Sequence, residues 1–324
     1  MIGKYKVSVI IPVYNSQNYI EECLQSIVMQ TLNSIEIVIV NDGSTDGSLK
    51  IIEKFERKYN NIKVITQENL GVVKARITGY KNATGEYIGW VDSDDFVEKN
   101  MYEKLYNKAI EKNSDIVICN YKFYPYNPSK KIKWFKNFTG QVDYNFIEKN
   151  TIQWNKLVKR EFLEKVNIVD LFKKIGEGAY SIVLINTDKI ATIDEELYNY
   201  RVGHESLSSN YKDCNWYEKN IIKEKNKLDI IINTSHKEKW QEYFEYLLFY
   251  SYILMLIIAI NNNKKSLYNK YCKEMKKAKY NKNKYAKEIL TKEQGKLKAF
   301  VLLKIIPNSY YISLPIVKIF LNIK

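Results

Sequence analysis

The chain has 324 residues, an apolar content of 45 % and few Gly (12) and Pro (5), which excludes a disordered protein and allows two domains of ordinary size. The formal net charge is +14, and four Cys lie far apart without a Cys-x-x-Cys spacing, which argues against a zinc site or a disulfide framework. The longest apolar run, Tyr246–Ile260, is shorter than the roughly 20 residues of a spanning helix. No export signal is visible before it, so we expect a cytoplasmic protein in which this run is a buried or interfacial helix.

Short runs rich in β-branched residues alternate with helix-period segments over the first 121 residues. The runs that predict buried strands are Lys6–Ile11, Ile35–Val40, Ile62–Thr66, Tyr87–Val91 and Ile116–Asn120. The stretches between them predict crossover helices. The predicted fold class is therefore α/β, with a mostly parallel, Rossmann-like sheet covered by helices on both faces.

Polar clusters follow three of these strands. They are Pro12–Asn15 after the first strand, Asn41–Ser44 after the second and Asp92–Asp95 after the fourth. Ligands of such sheets bind outside the carboxyl ends of the strands, so the three clusters predict one binding crevice.

The cluster Asp92-Ser93-Asp94-Asp95 is the most informative of the three. Three carboxylates at the mouth of a buried strand repel one another and lose solvation, so they are tolerated mainly where a cation shares the site. A Mg²⁺ or Mn²⁺ ion held by one or two carboxylates keeps coordination positions for substrate phosphates. The cluster thus predicts a metal site and a phosphate-bearing substrate.

Two further residues each have a functional and an ordinary interpretation. Asp42 can accept the N–H of a nucleotide base, or belong to a capped strand-to-helix turn. Arg76 lies near the start of a helix whose N-terminal N–H groups favour anions, or is an ordinary surface charge.

The pattern predicts three consecutive regions. They are residues 1–121, with the alternating strands and helices, residues 122–214, where this alternation breaks and mixed structure follows, and residues 215–324, a basic helical region. The last region has 22 Lys, no Arg and nine acidic residues, so it carries +13 of the total charge. The basicity is therefore separate from the carboxylate site.

Together these residues resemble the family-2 glycosyltransferases, which are inverting enzymes of GT-A fold found in bacterial capsule, exopolysaccharide and lipopolysaccharide synthesis. The matching motifs are Val7–Asn15, Asn41–Asp46, Asn69–Arg76 and Gly85–Asp95, followed more weakly by Trp154–Leu163 and Ile193–Ser208. The resemblance covers roughly residues 5 to 212. It implies that residues 1–121 form the nucleotide-sugar-binding half and residues 122–214 the acceptor-side part of the same catalytic domain. It implies transfer of a hexose-type sugar from a nucleotide donor, usually linked to UDP, to a glycan or lipid-linked acceptor with inversion.

The resemblance also implies roles for individual residues. Asp92 and Ser93 would contact the nucleotide at the ribose side, Asp94 would bind Mn²⁺ or Mg²⁺, and Asp95 would face the donor sugar or acceptor. The residues implied in holding the nucleobase are Pro12, Val13, Tyr14, Asn15, Asp42 and Arg76. Those implied as further donor-sugar or acceptor contacts are Trp154, Asn155 and Lys156.

The sequence departs from the family at the general base. The family usually places the base as the Asp of a Glu-Asp pair, and this chain has Gly178 after Glu177. Since Gly cannot accept a proton, three alternatives stay open: Glu177 is the base, another carboxylate such as Asp170 is the base, or the chain is an impaired enzyme that binds nucleotide sugar or assists assembly.

The C-terminal region predicts a peripheral membrane contact. Leu297–Lys324 is apolar with spaced lysines, which is typical of helices that lie on an anionic lipid surface at the inner face of the cell membrane. The alternative is that these helices pack on the catalytic domain or on another subunit of a homo-oligomer. A polyanion-binding protein is less favoured, and no nucleic-acid partner is expected, because this region has no Arg.

Overall fold

The computed structural model describes residues 5–126, 138–203, 213–277, 283–294, 298–299, 301–308 and 313. The chain divides into two units, Met1–His204 and Glu205–Lys324. The first unit contains the sheet, and the second contains helices.

The first unit is built on one eight-stranded sheet within its described residues, in the order β3-β2-β1-β4-β7-β6-β8-β5. The strands are β1 (Val7–Val13), β2 (Ile35–Asp42), β3 (Ile62–Gln67), β4 (Tyr87–Trp90), β5 (Phe96–Val97), β6 (Ile116–Tyr124), β7 (Lys156–Lys159) and β8 (Ile190–Arg201). All five strands predicted from the sequence are present. The α/β fold class is confirmed.

Helices connect and cover these strands. The helices of the first unit are α1 (Ile20–Val28), α2 (Ser48–Lys58), α3 (Val72–Asn82), α4 (Met101–Lys112), α5 (Tyr144–Asn150), α6 (Arg160–Lys165), α7 (Ile168–Ile175) and α8 (Ala179–Ile185). A 3₁₀ turn at Gly176–Gly178 joins α7 to α8. Every residue of β1 and β2 is buried, because helices cover both faces of this part of the sheet.

The direction of the strands changes in the second half of the sheet. Strands β1 to β4 are parallel, whereas β7 is antiparallel to both of its neighbours, β4 and β6. β6 crosses residue 121, so the regions predicted at 1–121 and 122–214 share one sheet. The carboxyl ends of β1, β2 and β4 therefore meet at one edge, next to the ends of β6 and β8.

The second unit is helical, with α9 (Cys214–Ile232), α10 (Lys237–Asn261), α11 (Lys265–Lys277), α12 (Lys284–Gln294) and a π-helical turn at Val301–Ile305. α10 packs against α9, α11 and α12. By length and composition it is the one helix in the described residues that could cross a membrane, and 72 % of its most apolar window is buried. This matches the buried helix expected over Tyr246–Ile260. Most of Leu297–Lys324 lies outside the described residues.

Candidate active site

The loops after β1 and β2 are held together by hydrogen bonds. Asn15, whose φ is +49°, donates its backbone N–H to Ser44 Oγ at 3.1 Å, and its Oδ1 accepts the backbone N–H of Thr45 at 2.8 Å. One residue further, the N–H of Ser16 donates to Ser48 Oγ at 2.8 Å. Helix α2 begins at Ser48, so the turn before it serves both as a helix start and as one wall of the crevice.

The residues of the first polar cluster differ in exposure. Pro12 and Val13 are buried at the end of β1 and form part of the frame of the loop. Tyr14 is 48 % exposed, and Asn15 is exposed as well. Of the four residues in this cluster, Tyr14 is therefore the one that offers an aromatic surface to a ligand.

Asp42 organises the start of α3. Its two carboxylate oxygens accept hydrogen bonds from Gln67 Nε2 at 2.6 Å and from the backbone N–H groups of Leu70 at 3.0 Å and Gly71 at 2.8 Å. Asp42 is 2 % exposed. A carboxylate has about four lone-pair sites, so a fourth donor such as a base N–H can still be accepted. Asp42 thus fixes the loop that precedes α3, a role that its position in the motif did not reveal.

Arg76 is buried and is not the surface charge of the alternative interpretation. Its side chain is 2 % exposed, and Nη2 donates to Asp92 Oδ1 at 2.7 Å while Nη1 pairs with Glu177 Oε1. Burial alone would lower the pKa of Arg76, but the negative charges of Asp92 and Glu177 raise it above its usual range. Its buried Nε has no hydrogen-bond partner among the described residues. Arg76 is therefore a fixed cation between two carboxylates.

The β4–β5 loop contains Asp92, at the mouth of β4. Its side chain is 27 % exposed, and its backbone N–H donates to the Tyr198 hydroxyl at 3.2 Å. Burial raises the pKa of Asp92, and the adjacent Arg76 guanidinium opposes that rise. Ser93, its neighbour, is buried, and its hydroxyl lies 2.7 Å from that of Ser16. The loop is thereby joined both to β8 and to the loop after β1.

Asp95 faces the interior. Its side chain is 1 % exposed and accepts hydrogen bonds from the Tyr198 hydroxyl and from the Arg201 backbone N–H, both at 2.7 Å. Burial, together with the charges of Asp92 and Asp94, raises the pKa of Asp95 to about 8. The geometry gives Asp95 the role of an anchor for β8, and Asp94 is the half-buried carboxylate beside it.

The segment Trp154–Lys156 is also part of the frame. The Trp154 ring is 6 % exposed and stacks on Tyr198, with ring centroids 4.2 Å apart. Asn155 and Lys156 are fully buried, and Lys156 Nζ donates to Ile152 O and Asn155 Oδ1 at 2.7 Å. Burial lowers the pKa of Lys156 to about 7. These side chains therefore support the site from behind.

Glu177 is brought to the crevice by Arg76. Its side chain is 51 % exposed, and its backbone carbonyl accepts a hydrogen bond from Gln153 Nε2 at 3.0 Å. Asp170, the other candidate base, forms an ion pair with Lys174 one turn along α7. Of these two carboxylates, Glu177 is the one that shares an arginine with Asp92.

The metal prediction depends on Asp94 and its neighbours. Across the described ranges, no three His, Cys, Asp or Glu side chains form a group that could hold a metal ion. A site that relies on one or two carboxylates together with substrate phosphates does not need such a group. Since Asp94 is half-buried next to Asp92, the donor set fits a Mg²⁺ or Mn²⁺ ion that arrives with a diphosphate.

Tyr198 and Arg201 support the site, although sequence reasoning gave neither a role there. Their motif, Ile193–Ser208, resembled only the strand that closes the domain. Tyr198 bonds to Asp95 and Arg201 bonds to Asp94 O, 103 and 107 positions earlier in the chain, so no local pattern marks either residue.

Polar loops at the carboxyl ends of β1, β2 and β4, with an Asp-x-Asp sequence in the last of them, define a GT-A fold protein. The sequence profile described as Glycosyl transferase family 2 matches residues 8–166. The chain is 31 % identical over 291 residues to the cholesterol galactosyltransferase of Borreliella burgdorferi, a match that covers 84 % of this chain and 81 % of that protein. The chain belongs to glycosyl transferase family 2.

Two further comparisons extend this result. Glycosyltransferase GlyA of Streptococcus pneumoniae is 37 % identical over 228 residues, which is 64 % of this chain and 32 % of GlyA. The chain therefore spans about a third of that relative. The crystal structure of S. aureus TarS in complex with UDP has a TM-score of 0.58 at 25 % identity and covers 76 % of this chain and 70 % of that chain. In its complex with UDP-GlcNAc, TarS has a TM-score of 0.68 at 21 % identity and covers 95 % of this chain and 92 % of that chain, which shows the shared fold.

Proposed function

We propose that this chain transfers a sugar from a UDP-linked donor to a glycan or lipid-linked acceptor with inversion, in the synthesis of a bacterial surface polysaccharide or glycoconjugate. The observation that carries the proposal is the buried Arg76, which joins Asp92 at the mouth of β4 to Glu177. The arginine thus connects the side of the crevice that receives the nucleotide to a half-exposed carboxylate. The TarS complex with UDP supports the choice of nucleotide.

In the proposed reaction, the nucleotide lies across the loops after β1, β2 and β4. The exposed ring of Tyr14 stacks on the base, and Asp92 contacts the ribose. Asp94 would hold Mn²⁺ or Mg²⁺, which supplies neutralising charge for the leaving diphosphate when bound. The rigid frame behind Asp92 orients the donor before the acceptor arrives.

Glu177 has the role of general base. Inversion requires attack by the acceptor hydroxyl on the anomeric carbon from the face opposite the diphosphate. A new bond forms between the acceptor oxygen and the anomeric carbon, the bond from that carbon to the phosphate oxygen breaks, and UDP leaves. The hydroxyl proton passes to a carboxylate oxygen of Glu177, which is 51 % exposed and therefore reachable by an acceptor.

The donor half of the proposal is tested by titration calorimetry with UDP in the presence and absence of Mn²⁺. We expect metal-dependent affinity that Asp94→Ala abolishes. Asp170→Asn is the matched control, because it removes a carboxylate that is paired with Lys174 on α7. Metal-dependent binding that survives in Asp94→Ala would remove the metal role from Asp94.

The base is tested by UDP release from donor plus acceptor. Turnover should collapse in Glu177→Gln and persist in Asp170→Asn. Retained turnover in Glu177→Gln would show that another group accepts the proton. Donor binding without turnover in the native chain would support the second candidate, a family member that binds nucleotide sugar without transferring it, which the glycine at position 178 favours. A scan of nucleotide sugars for thermal stabilisation identifies the donor for both candidates.

We further propose that the chain acts at the inner face of the cell membrane. One face of α9 exposes Trp216 and Ile222, at 41 % and 57 %, beside the exposed Lys219 and Lys223. Aromatic and aliphatic side chains flanked by lysines suit an anionic lipid surface. Sedimentation with anionic but not with neutral vesicles is the expected result, and equal recovery with both kinds of vesicle would contradict it.

A further inference from the structure

Arg201, the last residue of β8, has no role in the proposed reaction but contacts the Asp92–Asp95 loop at two points. Its backbone N–H donates to Asp95 Oδ1 at 2.7 Å, and its side-chain Nε donates to the backbone carbonyl of Asp94 at 2.8 Å. Its Nη2 pairs with Glu22 on α1. One residue thus joins β8, the Asp92–Asp95 loop and α1.

The surroundings of the Arg201 guanidinium hold it in one orientation. Three aromatic rings lie around it, with the Tyr19, Phe96 and Tyr124 centroids 5.3, 5.5 and 5.1 Å from its central carbon. The side chain is 14 % exposed. Cation–π contacts of this kind are stronger when they are partly removed from water. The guanidinium therefore serves as a fixed donor and not as a mobile surface charge.

The hydrogen bond from Arg201 Nε is accepted by the peptide group between Asp94 and Asp95. Fixing the carbonyl of Asp94 from Arg201 Nε, while the Arg201 N–H holds the next carboxylate, restrains the backbone on the C-terminal side of Asp94. The direction of a side chain depends on the backbone to which it is attached. The position of the Asp94 carboxylate therefore depends on Arg201.

We infer that Arg201 is a positioning residue that orients Asp94 for the divalent cation bound with the donor diphosphate. The inference rests on the proposed function of Asp94. Lys cannot replace Arg here without loss, because an ammonium group lacks the planar fork that reaches Asp94 O and Glu22 together and stacks on the rings. Partners that orient a metal ligand typically change metal affinity by about 10- to 100-fold when they are removed.

The test compares Arg201→Met with the native chain by titration of Mn²⁺ at fixed UDP, and by UDP binding in EDTA. Met keeps an apolar side chain among the three rings and removes the donors. We expect the Mn²⁺ requirement to rise by about 10- to 100-fold, with UDP binding in EDTA unchanged. The Mn²⁺ requirement of Arg201→Lys should lie between those of the native chain and Arg201→Met. Arg201→Lys provides the measurement if Arg201→Met does not fold.

Two controls separate positioning from general stability. Arg160→Met removes an ion-paired arginine, bonded to Glu164, from the same unit and should leave the Mn²⁺ requirement unchanged. Glu22→Gln weakens one contact of Arg201 but keeps the bond to Asp94 O, so it should have a smaller effect than Arg201→Met.

The outcomes distinguish the two proposals. If UDP binding of the native chain does not respond to Mn²⁺, the metal role of Asp94 fails and the inference fails with it. If the native chain responds and Arg201→Met has the same Mn²⁺ requirement, the inference alone is overturned. Equal losses of UDP affinity with and without Mn²⁺ would assign Arg201 a purely structural role and also overturn it.

Discussion

The Asp92–Asp95 loop and the Gly176–Gly178 turn carry the two halves of the proposed reaction, and they are held very differently. The loop is bonded to β8, to the loop after β1 and, through Cys23 Sγ and the backbone carbonyl of Asp92, to α1, and Asp95 within it is 1 % exposed. Glu177 in the turn is 51 % exposed, and within the part of the chain that the structure describes its side chain pairs with Arg76 alone. The proposed donor site is thus held by several elements of the fold, whereas the proposed base is held by one ion pair.

The largest effect is expected when the link between the two regions is removed. In Arg76→Met the carboxylates of Asp92 and Glu177 lose their shared cation. Removing one member of a buried ion pair costs about 3 to 5 kcal/mol, because a partly buried charge is left unpaired. We expect the free energy of unfolding, measured by urea denaturation, to fall by about 4 kcal/mol.

Arg57→Met provides the matched control for this loss. Arg57 is 70 % exposed and lies 4.0 Å from Glu53 on α2. Exposed pairs of this kind contribute less than about 1 kcal/mol, so the control should unfold almost like the native chain. Equal losses in both variants would mean that Arg76 does not link the two regions.

A second prediction tests whether Lys156 is one of the buried side chains that support the site. Burial lowers the pKa of Lys156 to about 7, from the 10.5 that is usual for a lysine in the unfolded chain. Between these values the unfolded chain binds a proton that the folded chain has released, so stability rises with pH. Relative to Lys156→Met, the native free energy of unfolding should rise by about 3 kcal/mol between about pH 7 and about pH 9.5.

The comparison with Lys156→Met cancels the other groups that titrate in this range. The neighbouring Cys119 would raise the pKa of Lys156 only as a thiolate. Burial raises the pKa of Cys119 to about 12, so Cys119 stays an uncharged thiol throughout this range. If the free energies of unfolding of the two chains vary with pH in parallel, Lys156 is solvated. It would then be accessible for the sugar contact that the family resemblance implies.

Much of the frame could be predicted from sequence because its signals are local. Runs of β-branched residues gave all five predicted strands, and the three polar clusters lie where the strands end. β7 was not predicted, because Lys156–Lys159 has only four residues and begins and ends with Lys. Its antiparallel position between β4 and β6 depends on long-range pairing that periodicity does not record.

The contacts that hold the site residues in place could not be predicted from the sequence. The sequence predicts that Asp42 contacts a base. It does not predict that Asp42 also accepts the N–H groups before α3, because those groups come close to Asp42 only in the folded sheet. The aromatic partners of Arg201 lie 77 to 182 positions away in the chain, just before α1, on β5 and on β6. No local pattern in the sequence brings such residues together.

The third prediction restores a carboxylate at the position where the family usually has its base. Gly178 has φ −62° and ψ −6°, a conformation that any L residue adopts, so Gly178→Asp introduces no backbone strain. If the missing carboxylate at position 178 limits transfer, turnover measured by UDP release should rise by about 100-fold in Gly178→Asp, the lower range for a positioned general base. UDP affinity should not change.

The same variant distinguishes the two candidate functions. A gain in turnover would show that the native chain lacks an efficient base although its donor site is intact. An unchanged rate together with a collapse in Glu177→Gln would show that Glu177 already supplies the full effect. Loss of UDP affinity in Gly178→Asp would contradict the separation of the two regions, because the turn would then take part in donor binding.

The smallest effect concerns the exposed edge of the donor site, where the fixed frame meets the ligand. Tyr14 is 48 % exposed at the end of β1, and its ring is the aromatic surface available to a base. Loss of one stacking contact costs about 1 to 3 kcal/mol, and exposure places Tyr14 at the lower end. Tyr14→Ala should therefore weaken UDP binding in calorimetry by about 1 kcal/mol, whereas Tyr14→Phe should bind like the native chain. If both variants weaken binding equally, the hydroxyl makes the contact. If neither does, the base lies elsewhere in the crevice, and the donor site extends beyond the loops that the buried frame holds in place.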